Sequence, residues 1–204
     1  MQQNRNRLTL YRRRARNVRL NLKLATNLKS RGDGMKTEQY LLIEYSKQGD
    51  TGAFARLYSD YADEMYRYSV YMMGNKQDAE DVMQEAILSA WRNIHTLRDD
   101  SVFKVWLFRI LTNKCKTELM KRNKTPDTLP VDEYEFLVSE EDDSFSTDLK
   151  DALRQLTPPD GQIIILSVIC GFKSYELAEI YNMTPSTVRS RQKRALEKLK
   201  DILS

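Results

Sequence analysis

The apolar residues of this chain recur at three- and four-residue steps almost everywhere outside residues 125–149, and only seven glycines and five prolines interrupt them. That spacing follows one face of an α-helix, and no stretch alternates with period two for long enough to make a half-buried strand. An all-α protein is expected. With 204 residues, 41% of them hydrophobic, the chain can build one or two domains with cores of their own. Its longest apolar run, Ile163 to Cys170, is eight residues with a serine inside, against the roughly 20 a membrane helix needs. It reads as a buried helix, so no membrane-spanning segment is expected. The two cysteines, Cys115 and Cys170, and the one histidine, His95, cannot supply a zinc-ligand set and suit a reducing cytosol.

Helix punctuation divides the chain. Helices are expected near 37–47, 51–73, 76–93 and 102–123, separated by Gly49-Asp50, Gly74-Asn75 and the polar Arg98-Asp99-Asp100-Ser101. Together they make one compact module over 35–124. Thr125-Pro126 stops the last of them, because proline disfavours helical geometry in its predecessor. A flexible acidic linker is expected over 125–147, where periodic apolar residues are few. A second module spans 148–204. Thr157-Pro158 and Thr184-Pro185 each combine a capping hydroxyl with a proline suited to the first helical turn. Gly171 can stop a helix in the left-handed conformation, Ser174 can cap the next, and Asn182-Met183 forms a turn before the last helix. The result is two small helical domains.

Charge must be read by segment. The net charge is +4, but residues 1–31 carry ten Lys/Arg and no acid, which leaves the remainder at −6. Residues 35–124 are balanced, with fourteen bases and thirteen acids; 125–149 hold nine acids and no base; 150–204 hold nine bases and six acids.

The bases of the last segment crowd one helix. A short helix, a tight turn and a helix opening Thr-Pro-Ser-Thr form what a helix-turn-helix needs to present a helix to the DNA major groove. Leu177, Ala178, Val188, Ala195 and Leu199 fall on an inward stripe. Ser186, Arg189, Ser190 and Lys193 share an outer face, where arginine can pair with guanine and serine can adjust to several base edges. Arg191, Arg194 and Lys198 flank that face and suit phosphates. The plainer alternative is a solvated cationic helix end. In the first module, Asp78, Asp81 and Glu85 lie at i, i+3 and i+7 beside Glu80, backed by Val82, Ala86, Ile87 and Ala90. This acidic face can dock a basic partner, remain an ordinary solvated face or bind metal; a carboxylate-bridged helical metal site, however, would call for Glu-x-x-His pairs that are absent here.

The string Asp78-Ala79-Glu80-Asp81-Val82-Met83-Gln84-Glu85-Ala86 through Ala90-Trp91-Arg92 resembles conserved region 2.2 of bacterial sigma factors of the extracytoplasmic-function group. Gly49-Asp50, Ala53-Phe54 and Leu57-Tyr58 resemble the start of region 2. Phe103-Lys104-Val105-Trp106-Leu107-Phe108-Arg109-Ile110 with Asn113 resembles regions 2.3 and 2.4. Leu156-Thr157-Pro158, Gly171 to Glu179 and Val188-Arg189-Ser190-Arg191 resemble region 4. Four strings in the family's order, across residues 36–203, make the signal specific. Two departures stand out: Gln192 occupies a position usually apolar, and Thr157-Pro158-Pro159 replaces a commoner Leu-Pro-x form.

The resemblance implies a non-enzymatic initiation subunit without cofactor or metal that binds core RNA polymerase and promoter DNA in the cytoplasm, with an anti-sigma factor as a further partner. Asp78, Asp81, Gln84 and Glu85 would dock on the polymerase. His95, Arg98, Ser101, Phe103 and Asn113 would read the −10 element, with Lys114, Lys116, Lys121 and Arg122 on phosphates. Trp106 reads as structural, and Phe103 as a residue of the core or a base-stacking platform. Ser186, Thr187, Arg189, Ser190, Arg191, Lys193 and Arg194 would read the −35 element. The acidic linker would either mimic nucleic acid in a polymerase channel or serve as a plain spacer. The residues agree independently that no P-loop, dinucleotide motif or nucleophile elbow is present. Two other classes share part of the pattern: a two-module regulator with a sensing first domain, and a helical metal-dependent hydrolase. Residues 1–34 are expected to be dispensable, with Met35 a possible start, because Ser30-Arg31-Gly32-Asp33-Gly34 can be encoded by a purine-rich ribosome-binding stretch. A DNA-binding tail and a transit peptide are the rival readings of that basic extension.

Overall fold

A computed structural model of the protein describes residues 34–122 and 147–203, and all regular elements among them are helical. The basic extension and the acidic linker lie outside the described residues, apart from Gly34 and Thr147, which open helices. The described chain forms two compact units, one containing the chain up to Asp60 together with Ile94–Ser101, the other Tyr61–Asn93 together with everything from Val102 on.

In the first unit, α1 (Gly34–Lys47) packs on α2 (Thr51–Ser59) and on a short 3₁₀ turn, Ile94–Thr96. The Asp50 carboxylate accepts from the Ala53 backbone N–H at 3.0 Å and so caps α2. Leu42, Ile43, Phe54, Leu57, Ile94 and Leu97 are buried. Lys47 ties α1 to Asp100 at 2.7 Å, and Arg56 pairs with Glu38. The single helix expected over 51–73 is broken after Ser59. Phe54 and Leu57 bury in this unit, whereas Met65 and Tyr68 bury in the other, so the chain must redirect at Asp60-Tyr61.

The second unit holds α3 (Ala62–Met73), α4 (Lys76–Asn93), α5 (Phe103–Arg122), α6 (Thr147–Arg154), α7 (Pro158–Ile164), α8 (Ser174–Tyr181) and α9 (Pro185–Leu203). A π-type turn, Ile165–Ile169, continues α7. The stripe Ala79, Val82, Ala86 and Ala90 is buried, and α4 packs through it against α3 and α5. Small residues there let the backbones approach closely. Buried residues of α5 lie on several of its sides, because α3 and α4 cover it from one direction and α8 from another. Phe108 meets Phe172 edge to face at 4.8 Å, Arg109 donates to the Glu179 carbonyl at 2.9 Å, and Lys104 donates to the Cys170 carbonyl at 2.6 Å. The Tyr68 and Tyr181 hydroxyls are hydrogen-bonded at 3.3 Å.

Gly171 adopts φ +70° and ends the apolar segment as expected. Asn182, at φ +54°, supplies the left-handed residue between α8 and α9. The Thr184 hydroxyl accepts from the Thr187 N–H at 3.2 Å, which makes it the cap of α9. The other two expected caps differ. The Thr157 hydroxyl donates to Asp160 at 2.8 Å, and the Ser174 hydroxyl donates to Gln192 at 3.0 Å, so each is spent on a side chain rather than on helix backbone. The start of α8 is instead closed by Glu176, which accepts from the Lys173 backbone N–H at 2.7 Å.

Candidate functional site

Two surfaces carry chemistry, a groove between α4 and α5 and the outer face of α9. Asn75 opens α4 by accepting from the Asp78 N–H at 2.9 Å, which sets the phase of the acidic face. Asp78, Asp81, Gln84 and Glu85 then converge on one cavity of about 300 Å³, with Leu88 and Glu118 also in its wall. Leu88 is 53% exposed, an apolar contact beside carboxylates. The Arg122 guanidinium closes one end of the groove, 2.8 Å from Asp78 and 3.6 Å from Glu118. Lys114 reaches Glu85 at 3.3 Å and Lys121 reaches Glu118 at 3.1 Å. Three of the four cations expected on DNA phosphates therefore stand in ion pairs on or beside the acidic groove. Those pairs are exposed enough to exchange partners at little cost. Among the described residues Asp81 has no ion-pair partner and is exposed, which makes it the most available carboxylate of the set.

The remaining residues expected to read the −10 element are distributed between the two units. His95, Arg98 and Ser101 are exposed in the first. The Ser101 N–H and hydroxyl both donate to Asp99, at 2.9 and 2.6 Å, and hold its carboxyl below the usual range. In the second unit Asn113 is exposed, while Lys116 lies 5.0 Å over the Tyr181 ring and burial lowers its pKa. Phe103 requires a correction. It is 0% exposed, flanked by Tyr61 and Trp106 at ring separations of 5.8 and 5.9 Å, so its ring is core and offers no face to a base.

On α9, Ser186, Thr187, Arg189, Ser190, Lys193 and Arg194 are exposed. The Thr184 hydroxyl lies 2.8 Å from both Ser186 Oγ and Thr187 Oγ1, so this N-terminal turn is ordered before any ligand arrives. Lys193 pairs only weakly with Glu197, at 3.8 Å on the exposed surface. Arg191 is the second correction. Its Nη1 lies 3.0 Å from Asp160 Oδ1 on α7, its side chain is 29% exposed, and its Nε is buried without an acceptor. It faces inward rather than toward a phosphate. Helical geometry already implied this, since Arg191 lies two residues before Lys193 and thus about 160° around the axis from it. Lys198, about 20° from Arg191 by the same geometry, donates to the Gln155 carbonyl. Sequence reasoning missed Leu88, Glu118 and Asp160, which enter these surfaces only through tertiary packing.

Among the described residues no cluster of His, Cys, Asp and Glu could hold a metal ion, and no helix is long and apolar enough to cross a membrane.

Residues 57–125 match the family model for sigma-70 region 2, and residues 146–199 match that for sigma-70 region 4. The extracytoplasmic-function RNA polymerase sigma factor SigW of Bacillus subtilis is 33% identical over 175 residues, which cover 78% of this chain and 92% of the relative. Among solved structures, CnrH in complex with the cytosolic domain of CnrY superposes with a TM-score of 0.63 at 22% identity, covering 81% of this chain and 97% of that one. The sigma factor RpoE of Bartonella quintana, in complex with the anti-sigma factor NepR, gives 0.60 at 23% identity, covering 74% and 96%. Both share its fold.

Proposed function

The chain belongs to the extracytoplasmic-function group of sigma-70-like factors and directs RNA polymerase to promoters through −10 and −35 elements, and we propose which of its surfaces performs each part of that work. The α4–α5 groove docks on core polymerase. The observation that carries this reading is the convergence of Asp78, Asp81, Gln84 and Glu85 on one cavity beside the exposed Leu88. A partner presenting basic side chains around an apolar contact would meet complementary charge there, which speeds correctly oriented docking. Core polymerase also competes with Lys114 and Arg122 for their carboxylates: a basic partner on Glu85 and Asp78 frees these two cations for phosphates of the −10 region.

The outer face of α9, with Ser186, Arg189, Ser190 and Lys193, reads the −35 element in the major groove, while Thr187 and Arg194 contact backbone at its edges. Residues 35–124 act as the −10 module, to which His95, Arg98, Ser101 and Asn113 each contribute a DNA contact, and 148–204 as the −35 module. The protein contributes recognition and leaves the chemistry to the polymerase. It works in the cytoplasm, and an anti-sigma factor is its regulatory partner, as NepR is for RpoE. The docking assignment is tested by Asp81→Lys with Glu85→Lys, which turns attraction into repulsion. The doubly reversed protein should keep its helicity and fail to co-purify with core polymerase. Retained co-purification would refute the assignment.

A further inference from the structure

We infer that Asp160 and Arg191, aided by Ser174 and Gln192, are positioning residues for promoter recognition: they set the rotation of α9 so that Arg189, Ser190 and Lys193 face the −35 bases. The inference rests on the reading of α9 as the −35 helix, and it gives a role to two side chains that meet no DNA.

Helix α9 is held by two kinds of contact. Val188, Ala195 and Leu199 are buried and supply attachment. Val188 and Ala195 are small, and an apolar stripe of this kind allows a helix to rotate by some degrees at little cost, since burial energy is non-directional. The polar contacts are directional. Arg191 meets Asp160 at 3.0 Å on the first turn of α7, and Thr157 donates to the other oxygen of that carboxylate at 2.8 Å, which fixes its plane. On the other flank of the stripe, Gln192 accepts from Ser174 at 3.0 Å at the start of α8. Successive residues of a helix project about 100° apart, so these two tethers pull on α9 from either side of its apolar stripe and oppose rotation in both senses.

Rotation matters because paired hydrogen bonds from arginine to guanine tolerate little angular error. The Arg191–Asp160 pair is partly buried, with side chains 29% and 17% exposed. Breaking it from the acid side leaves a guanidinium whose Nε is already buried without an acceptor, and the helix must move to solvate it. The polar position of Gln192, where an apolar residue would be expected, thereby acquires a function: it replaces packing with a directional tether.

The test is Asp160→Asn in the full chain, assembled with core polymerase and assayed on a genomic promoter fragment that the wild-type holoenzyme transcribes, beside the same fragment with a scrambled −35 sequence. Removing a negative charge near DNA should by itself strengthen binding to every sequence. Positioning predicts the opposite for the specific fragment: discrimination between the two should fall by about tenfold, the scale of one lost base contact, with an unchanged salt slope. Arg191→Ala should reproduce that loss, and the double variant should be no worse than either single one. Unchanged discrimination in Asp160→Asn would overturn the inference. So would a uniform loss of affinity in Arg191→Ala with a salt slope lower by about 0.9, the mark of one phosphate contact. If Asp160→Asn does not fold, Gln192→Ala supplies the same comparison from the other flank. A wild-type holoenzyme that ignores the −35 sequence would instead defeat the reading of α9 on which the inference rests.

Discussion

Replacing Gly161 by alanine should destabilise the second unit, and the structure supplies the magnitude. A Cβ at position 161 would lie 2.0 Å from Tyr71 Oη, whereas real Cβ contacts essentially never fall below 3.0 Å, so something must move by about 1 Å. Tyr71 is 2% exposed in the core of α3, so its ring can shift only by disturbing its neighbours. The alternatives are a displaced tyrosine or a retreat of α7, and overpacking of this kind costs about 1–3 kcal/mol. Alanine returns up to about 1 kcal/mol through its better helix propensity. The net expectation is a loss of about 1–2 kcal/mol, or a melting temperature lower by about 2–8 °C for a chain of this size. The clash is with the hydroxyl, because the ring carbon that bears it lies 3.2 Å from the added Cβ. Tyr71→Phe should therefore restore most of the loss in the double variant, while giving little gain alone. Thermal unfolding followed by circular dichroism on the four proteins reads the cycle. If Gly161→Ala melts at or above the wild type, or if Tyr71→Phe fails to rescue it, the close approach of α7 to Tyr71 is refuted.

Two further outcomes follow from buried groups. Burial raises the pKa values of Tyr68, Tyr71, Tyr181 and Cys115, and pushes Cys170 up to about 12. These groups keep their protons in the folded chain while the unfolded chain ionises from about pH 9 for the thiols and 10 for the phenols. Stability is thus fully present below those values and should fall as pH rises above about 9; a melting temperature that stays flat from pH 8 to 11 would contradict their burial. Phe103→Leu should cost about 1–2 kcal/mol, between a one-methylene deletion and full truncation, and leave promoter opening intact in the holoenzyme. Loss of opening at full folding would show that the ring stacks on a base after all.

Much of the molecule was legible in the chain. Apolar residues at helical spacing placed α4 and α9 almost to the residue, because each buries one stripe and leaves the rest in water. Asp78, Asp81 and Glu85 share a face by spacing alone, as do Ser186, Arg189, Ser190 and Lys193. Gly171 and the Thr184-Pro185 start mark their boundaries because backbone geometry there depends on one or two adjacent residues. Everything that depends on which faces meet was decided by tertiary structure. Lys114 and Arg122 look like free cations in sequence, yet they pair with Glu85 and Asp78 because α5 packs against α4. Phe103 reads in sequence as either core or a stacking platform, and it is core because α5 is covered on several sides. Ser174 has the chemistry of a cap, but a hydroxyl near a better-placed partner donates to it, and Gln192 lies within reach only after α9 has packed on α8; Thr157 is drawn off locally by Asp160, which Arg191 reaches only after α9 has packed on α7. Local rules act over three or four residues, whereas Lys114–Glu85, Ser174–Gln192 and Arg191–Asp160 are separated by 18 or more in the chain, and only the packed core brings them within hydrogen-bonding distance.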